Sequence, residues 1–176
     1  MSDEWLSRRY GGGGGPGRHT TAAICLRGHV VTADVERFGA QVTKFCSKCG
    51  AEVITKCREC GTPIHGHFVP PGVPGVGGVF RAPAFCHECG KPYPWTAEKI
   101  LAAKDLADEL EGMTAEDLAK LKSAFDDIAT PGPRAEAGAA RIKKVLGKAG
   151  TTVGQALWKM SVDIASEAAK KIMLGQ

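Results

Sequence analysis

Seven cysteines and one histidine carry the chemistry of this chain, spaced in four close pairs: Cys25-x3-His29, Cys46-x2-Cys49, Cys57-x2-Cys60 and Cys86-x2-Cys89. No cysteine lies outside them. Thiolate and neutral imidazole are good ligands for Zn²⁺, which takes four such donors in a tetrahedron, and a Cys-x2-Cys loop offers two of them to a single ion. Eight donors therefore predict two zinc ions per chain. Four protein ligands at each ion leave no position for a reactive water, so both sites read as structural.

Two groupings of the pairs are possible. Sequential grouping joins Cys25 and His29 with Cys46 and Cys49, and Cys57 and Cys60 with Cys86 and Cys89; interleaved grouping, as in cross-braced domains, is the alternative. The 16 residues between His29 and Cys46 suffice for a strand, a turn and a strand back, and the 25 between Cys60 and Cys86 suffice as well. The string Phe45-Cys46-x2-Cys49-Gly50 returns as Phe85-Cys86-x2-Cys89-Gly90, each copy closing a unit begun by an earlier pair, which favours the sequential grouping. Glycine after the second cysteine allows the left-handed turn a knuckle needs, and the phenylalanine before the first is placed to cap the metal. His29 is the weakest donor on spacing alone, and Gly28 supports it by supplying its turn. His65 and His67 are rivals for a ligand position, while His87, inside a knuckle, should face away from the ion.

Other chemistries find little support. Glu52, Glu59 and Glu88 are acidic groups near knuckles with no further mark of a catalytic base. No Ser-His-Asp, His-Glu-x-x-His or phosphate-loop pattern is present, and Gly11 to Gly15 lack the flanking strand and Lys-Ser/Thr of a phosphate cradle. The sequence therefore leans away from an enzyme, with a zinc-dependent hydrolase using His65 or His67 as the lesser alternative. An odd cysteine count and a paired histidine argue against a disulfide framework, and no apolar run approaches the ~18 residues that cross a bilayer, so a reducing cytoplasm is expected.

The elements that must position these ligands are short. Residues 1–19, with five consecutive glycines, are expected to be a disordered leader. Residues 20–95 are expected to form a tandem zinc-ribbon domain, unit one at about 22–50 and unit two at about 55–92. Its β-favouring runs are His29–Thr32, Gln41–Phe45, Ala51–Thr55 and Val79–Phe80. The Pro/Gly stretch 70–78 should be an exposed hairpin tip. With six Phe, two Tyr and three Trp in all, such a domain has little apolar material and zinc would stand in for a core.

After Trp95 the pattern becomes helical. Thr96 caps a helix with Ile100, Leu101, Ala103, Ala107 and Leu110 on one face; Thr114 starts a second with Leu118, Leu121, Phe125 and Ile128. A third covers about 134–147. The last, about 151–174, carries Val153, Leu157, Met160, Ile164, Ala168 and Ile172. Alanines 135, 137, 139, 140, 165, 168 and 169 form seams suited to close helix packing, within one chain or in a dimer. The fold class expected is α+β, a small β-hairpin tandem zinc-ribbon domain followed by an α-helical C-terminal bundle over residues 96–176.

The formal net charge of +4 invites a nucleic-acid reading that the metal weakens. Residues 20–96 hold eight basic and five acidic side chains, but Zn²⁺ held by three thiolates and an imidazole carries −1 and Zn²⁺ held by four thiolates carries −2, bringing the loaded segment to about zero. Nucleic-acid binding stays possible without being indicated.

Taken together, Ile24-Cys25-Leu26-Arg27-Gly28-His29-Val30, the two Phe-Cys-x2-Cys-Gly strings and Cys57-x2-Cys60-x3-Ile64-x-Gly66 resemble an uncharacterised bacterial family with tandem zinc ribbons. Asp163-Ile164-Ala165-Ser166-Glu167-Ala168-Ala169-Lys170-Lys171 is similar to that family's C-terminus, so the resemblance spans about residues 22–174 and leaves out the leader. It implies a bacterial cytoplasmic zinc protein and no catalytic activity. The expectation is a zinc-binding interaction scaffold whose helical tail self-associates or recruits a protein partner.

Overall fold

Valine, isoleucine and threonine runs broken every few residues by glycine or cysteine support only short strands, and the described residues of the N-terminal half hold five of them. The computed structural model describes residues 17–72, 78–146 and 152–175; the glycine run of the leader and the middle of the Pro/Gly loop lie outside them. The strands are β1 (Arg18–Thr21), β2 (Ala23–Cys25), β3 (Val30–Thr32), β4 (Val53–Ile54) and β5 (His65–Val69). β2 lies between β3 and β4 in one antiparallel sheet, and β1 pairs with β5 in another, Arg18 opposite Val69 and Thr21 opposite His65. Thus the strand that precedes every cysteine pairs with the strand that follows Cys60.

Three local expectations are corrected. Arg18 and His19, assigned to the leader, are part of β1. Gln41–Phe45 is not a strand: a short helix, α1 (Val35–Phe38), and a 3-10 turn (Gly39–Gln41) occupy its approach, and only Phe45 bridges to Glu52. The cause is Asp34, whose carboxylate accepts the Arg37 N–H at 3.1 Å as an N-cap. Glu36 then accepts both the N–H and the hydroxyl of Thr21, at 2.9 and 2.7 Å, tying α1 to β1. Val79–Phe80 pairs with no strand; Phe80 instead packs on the core, its ring edge-on to His67 at 5.4 Å.

That core is small and aromatic at one end. Ala22, Ile24, Ile64, Cys57, Cys86, Tyr93 and Trp95 are all buried together. Tyr93 and Trp95 stack at 4.7 Å, 17° from parallel, and the Trp95 indole N–H donates to the Pro83 carbonyl at 2.8 Å. Burying two such rings stabilises a small domain by about 3 kcal/mol or more, a large share of what it can muster without metal.

The chain divides into two compact units between Trp95 and Thr96. Five helices follow the hairpin region: α2 (Pro94–Ala107), α3 (Ala115–Ala129), α4 (Pro133–Leu146), α5 (Thr152–Ile164) and α6 (Glu167–Leu174). Thr96 is a buried residue inside α2 rather than its cap, because Pro94 supplies a fixed φ and lacks the N–H that a first-turn position would leave unpaired. Leu101, expected on the apolar face, is 59% exposed, off the stripe of Ala103 and Ala107. Thr114 caps α3 by accepting the Asp117 N–H at 3.2 Å, and Leu121, Phe125 and Ile128 are buried as their spacing predicts.

α3 packs most extensively on α4, where a side chain at Gly138 would sit 3.1 Å from the Ala124 carbonyl. Of the alanine seam, Ala135, Ala139, Ala165 and Ala169 are buried, whereas Ala137 and Ala140 are exposed. The single last helix of the sequence reading is two: Ala165 and Ser166 break it, with the Ser166 hydroxyl capping α6 and its N–H donating to Ile128 O at 2.8 Å. The break resets the helical phase, so Ala169 and Met173 are buried in α6 while Ala168 and Ile172 are only half-buried.

Candidate metal centres

Each knuckle is built by the same backbone device. The N–H of Gly50, Gly61 and Gly90 donates to the carbonyl of Cys46, Cys57 and Cys86 at 2.8, 2.9 and 3.0 Å. These glycines have φ near +70°, a left-handed conformation that a side chain disfavours. At the first pair Gly28 (φ +83°) does the corresponding work one residue earlier, its N–H donating to Cys25 O at 2.8 Å. Trp95 lies against Gly28, where an added Cβ would meet the tryptophan Cβ at 3.1 Å.

The four pairs converge as two groups. Cys25, His29, Cys46 and Cys49 form one and Cys57, Cys60, Cys86 and Cys89 the other, with all ligand atoms of a group within 4.8 Å of one another. His65 and His67 belong to neither. A tetrahedral ion with metal–sulfur bonds of about 2.3 Å sets its sulfurs about 3.8 Å apart, and a sulfur and a nitrogen about 3.6 Å apart. Cys25 and Cys49 lie at 3.7 Å, Cys57 and Cys89 at 3.8 Å, and Cys60 and Cys86 at 3.6 Å. The Nδ1 of His29 is 3.6, 3.2 and 3.8 Å from Cys25, Cys49 and Cys46. A disulfide needs about 2.05 Å; all seven cysteines are free thiols. Both donor sets therefore fit a tetrahedral metal ion.

Without an ion, the three sulfurs of the first group and the four of the second lie close enough to push one another's pKa values apart. The backbone N–H of Lys48, with that of Cys49, outweighs burial and holds Cys46 down to about 7. Burial raises Cys86, but the N–H groups of Cys89 and Glu88 bring it down to about 6. The hydroxyl and N–H of Thr62 hold Cys60 below the usual thiol range. Lys91 N–H pulls on Cys89, yet burial and the neighbouring sulfurs of Cys60, Cys86 and Cys57 push it up to about 12. The first group thus presents Cys46 and the second Cys86 and Cys60 as readily formed thiolates, from which an entering ion can begin to displace the remaining protons.

The family model described as an uncharacterized protein conserved in bacteria (DUF2321) matches residues 18–173. The chain belongs to that family. The DUF2321 match opens on the first residue of β1 and closes within α6, so it takes in both cysteine groups and all five helices. No curated protein and no solved structure matches the chain.

Several features beside the clusters escaped sequence reasoning. His87 is exposed in its knuckle and stacks on His65 at 3.4 Å, and His65 stacks on His19 at 4.1 Å, so a column of three imidazoles joins the second knuckle to β5 and β1. Phe45, expected to cap the first cluster, is 55% exposed and carries the Lys44 ammonium 5.5 Å over its ring. Tyr93 takes up the buried position near the second cluster instead. Its signal was present in the repeat: the fourth residue after Cys89 is Tyr93, whereas the fourth after Cys49 is Val53. Among the described residues no helix is long and apolar enough to cross a membrane.

Proposed function

We propose that the two groups are structural zinc sites of the ribbon type, and that the protein is a non-enzymatic interaction scaffold of a reducing cytoplasm. The observation that carries this reading is closure: at both groups four donor atoms already lie within 4.8 Å of one another, and four protein ligands leave an ion no open position for substrate or water. Zinc is favoured over other metals by soft thiolates joined with at most one imidazole in tetrahedral array. Cys25, His29, Cys46 and Cys49 hold one ion, Cys57, Cys60, Cys86 and Cys89 the other. The helical region then serves self-association or recruitment of a protein partner.

Metal analysis of the purified full chain tests the core of the proposal, with two zinc equivalents expected and fewer than one enough to sink it. Cobalt substitution adds the donor sets: four sulfurs at one site, three sulfurs and a nitrogen at the other. A spectrum with an open, water-bearing position would instead favour a hydrolase. Sedimentation at increasing concentration tests self-association. One observation favours a second reading, nucleic-acid binding: Lys44 over Phe45 and Arg37 over Phe38 pair a cation with an exposed ring, as single strands require. Salt-dependent retention of single-stranded DNA or RNA would support it.

A further inference from the structure

Tyr93 is 1% exposed, and its hydroxyl is a buried polar atom without a hydrogen-bond partner. An unpaired buried hydroxyl costs about 1–3 kcal/mol, so its presence calls for a physical reason. Tyr93 packs in one buried cluster with Cys57 and Cys86, and Cys89 lies against that cluster. The Cys86 sulfur is within reach of the phenol as an acceptor, with Cys57 beside it in the same cluster. The anionic groups that bear on the phenol are therefore sulfurs of the second group. A thiolate bound to zinc keeps most of its negative charge and accepts hydrogen bonds well, and a phenol can turn its proton toward one without moving its ring.

We propose that the Tyr93 hydroxyl donates a hydrogen bond to the Cys86 thiolate in the metal-loaded protein, making Tyr93 a positioning residue that secures the second ion. The proposal rests on the reading of that group as a zinc site. It gives the orphan hydroxyl its partner and explains its one-sidedness. The four-sulfur site carries one negative charge more than the site with His29, and only the former has a phenol, since Val53 stands at the matching place in the latter. Trp95 holds the ring in place by stacking on it, and the backbone N–H of Tyr93 is fixed on Ala84 O at 3.0 Å, two residues before Cys86.

The test is ¹¹³Cd NMR on full-length protein loaded with cadmium, comparing wild type with Tyr93→Phe, which keeps the ring and its stacking. Two cadmium resonances are expected in the wild type. In the variant the four-sulfur resonance should shift while the other stays, and competition with a chelator should show the second site binding zinc about tenfold more weakly, with the first unchanged. In wild type itself the phenolic proton should exchange slowly and show a through-space contact to the Cys86 methylene, a reading independent of whether the variant folds. Two resonances with no change in Tyr93→Phe, or a fast-exchanging phenolic proton, would overturn the hydrogen bond and leave the zinc reading intact. A wild type that takes up no metal at the second site would overturn both, and the metal stoichiometry tells the two failures apart.

Discussion

At the first group His29 replaces one thiolate, two of the four donors are half-buried, and the strand that follows supplies Val53. At the second all four donors are sulfur, Cys86 and Cys57 are built into the core with Ile24 and Ile64, and Tyr93 closes over them, while Cys60 alone is exposed. Identical knuckles are thus set in unlike surroundings. The difference teaches where the chain invests its few apolar residues: around the group that zinc, if bound as proposed, would leave with the higher negative charge, whose desolvation is costly and must be offset by packing and hydrogen bonds. The first site then rests on the second through β2, where Ile24 enters the core beside Cys25 of the first group.

With both groups holding zinc as proposed, the strongest way to break this comparison is to remove the metal. Structural zinc contributes about 10–16 kcal/mol at neutral pH, as much as a whole domain's stability. Chelation should therefore unfold residues 17–95 while the helices from α3 onward keep their signal in circular dichroism. Persistent amide protection across β1 and β5 after chelation would mean that the core stands without metal.

Single ligands sharpen it. Cys86→Ser should lose the second ion and destabilise the whole hairpin unit, because the core is built on that sulfur. Cys46→Ser should lose the first ion and leave the second in place. Metal counting with NMR of the Tyr93 and Trp95 rings would separate the two, and equal damage from both variants would contradict the asymmetry.

Acidity gives a smaller, graded effect. Cys46 and Cys86 have depressed pKa values of about 7 and about 6. Both are therefore ready to bind at neutral pH, and metal uptake should weaken as pH falls through 7 and 6, where protons return to them. Cys89, raised to about 12, has the opposite sign: the metal-free site keeps its proton throughout this range and would lose it only as pH rises through 12. At a pH of about 7.5 the second site should consequently release the Cys89 proton on taking up zinc, its apparent affinity falling about tenfold per pH unit for each proton displaced. Calorimetry in two buffers of different ionisation enthalpy measures that proton directly. The smallest effect lies outside the hairpin unit, where Ser166→Ala should cost about 1 kcal/mol of helical stability through the lost α6 cap and leave both metals in place.

The knuckles and their grouping were legible because ligation demands particular residue types at fixed spacing and because the Phe-Cys-x2-Cys-Gly string repeats; the intervening stretches were not, since a helix and 3-10 turn fill the first and the strand of the second pairs back to β1. α3 was legible from its cap and stripe. The break at Ala165–Ser166 was not, since alanines keep a helical spacing alive on either side and the serine cap is short. β1 gave no alternation to detect in Arg-His-Thr-Thr, and α1 turned on the single carboxylate of Asp34. Tyr93 is instructive in another way: spacing carried no meaning for it until the two copies of the repeat were compared four residues beyond their last cysteine.

The pairing of β1 with β5 brings His19 beside Gly66, 47 positions along the chain. A loop of that length closes slowly, since its entropy must be lost before the strands reward it. With zinc bound as proposed, the first ion would be a cross-link inside the loop, tying residue 25 to 49, while the second would tie residues 57 and 60 to 86 and 89 beyond its end. Metal capture should therefore precede sheet closure during folding, and a chain made while zinc is scarce would wait with the edge of β5 open, the kind of unpaired strand that invites aggregation.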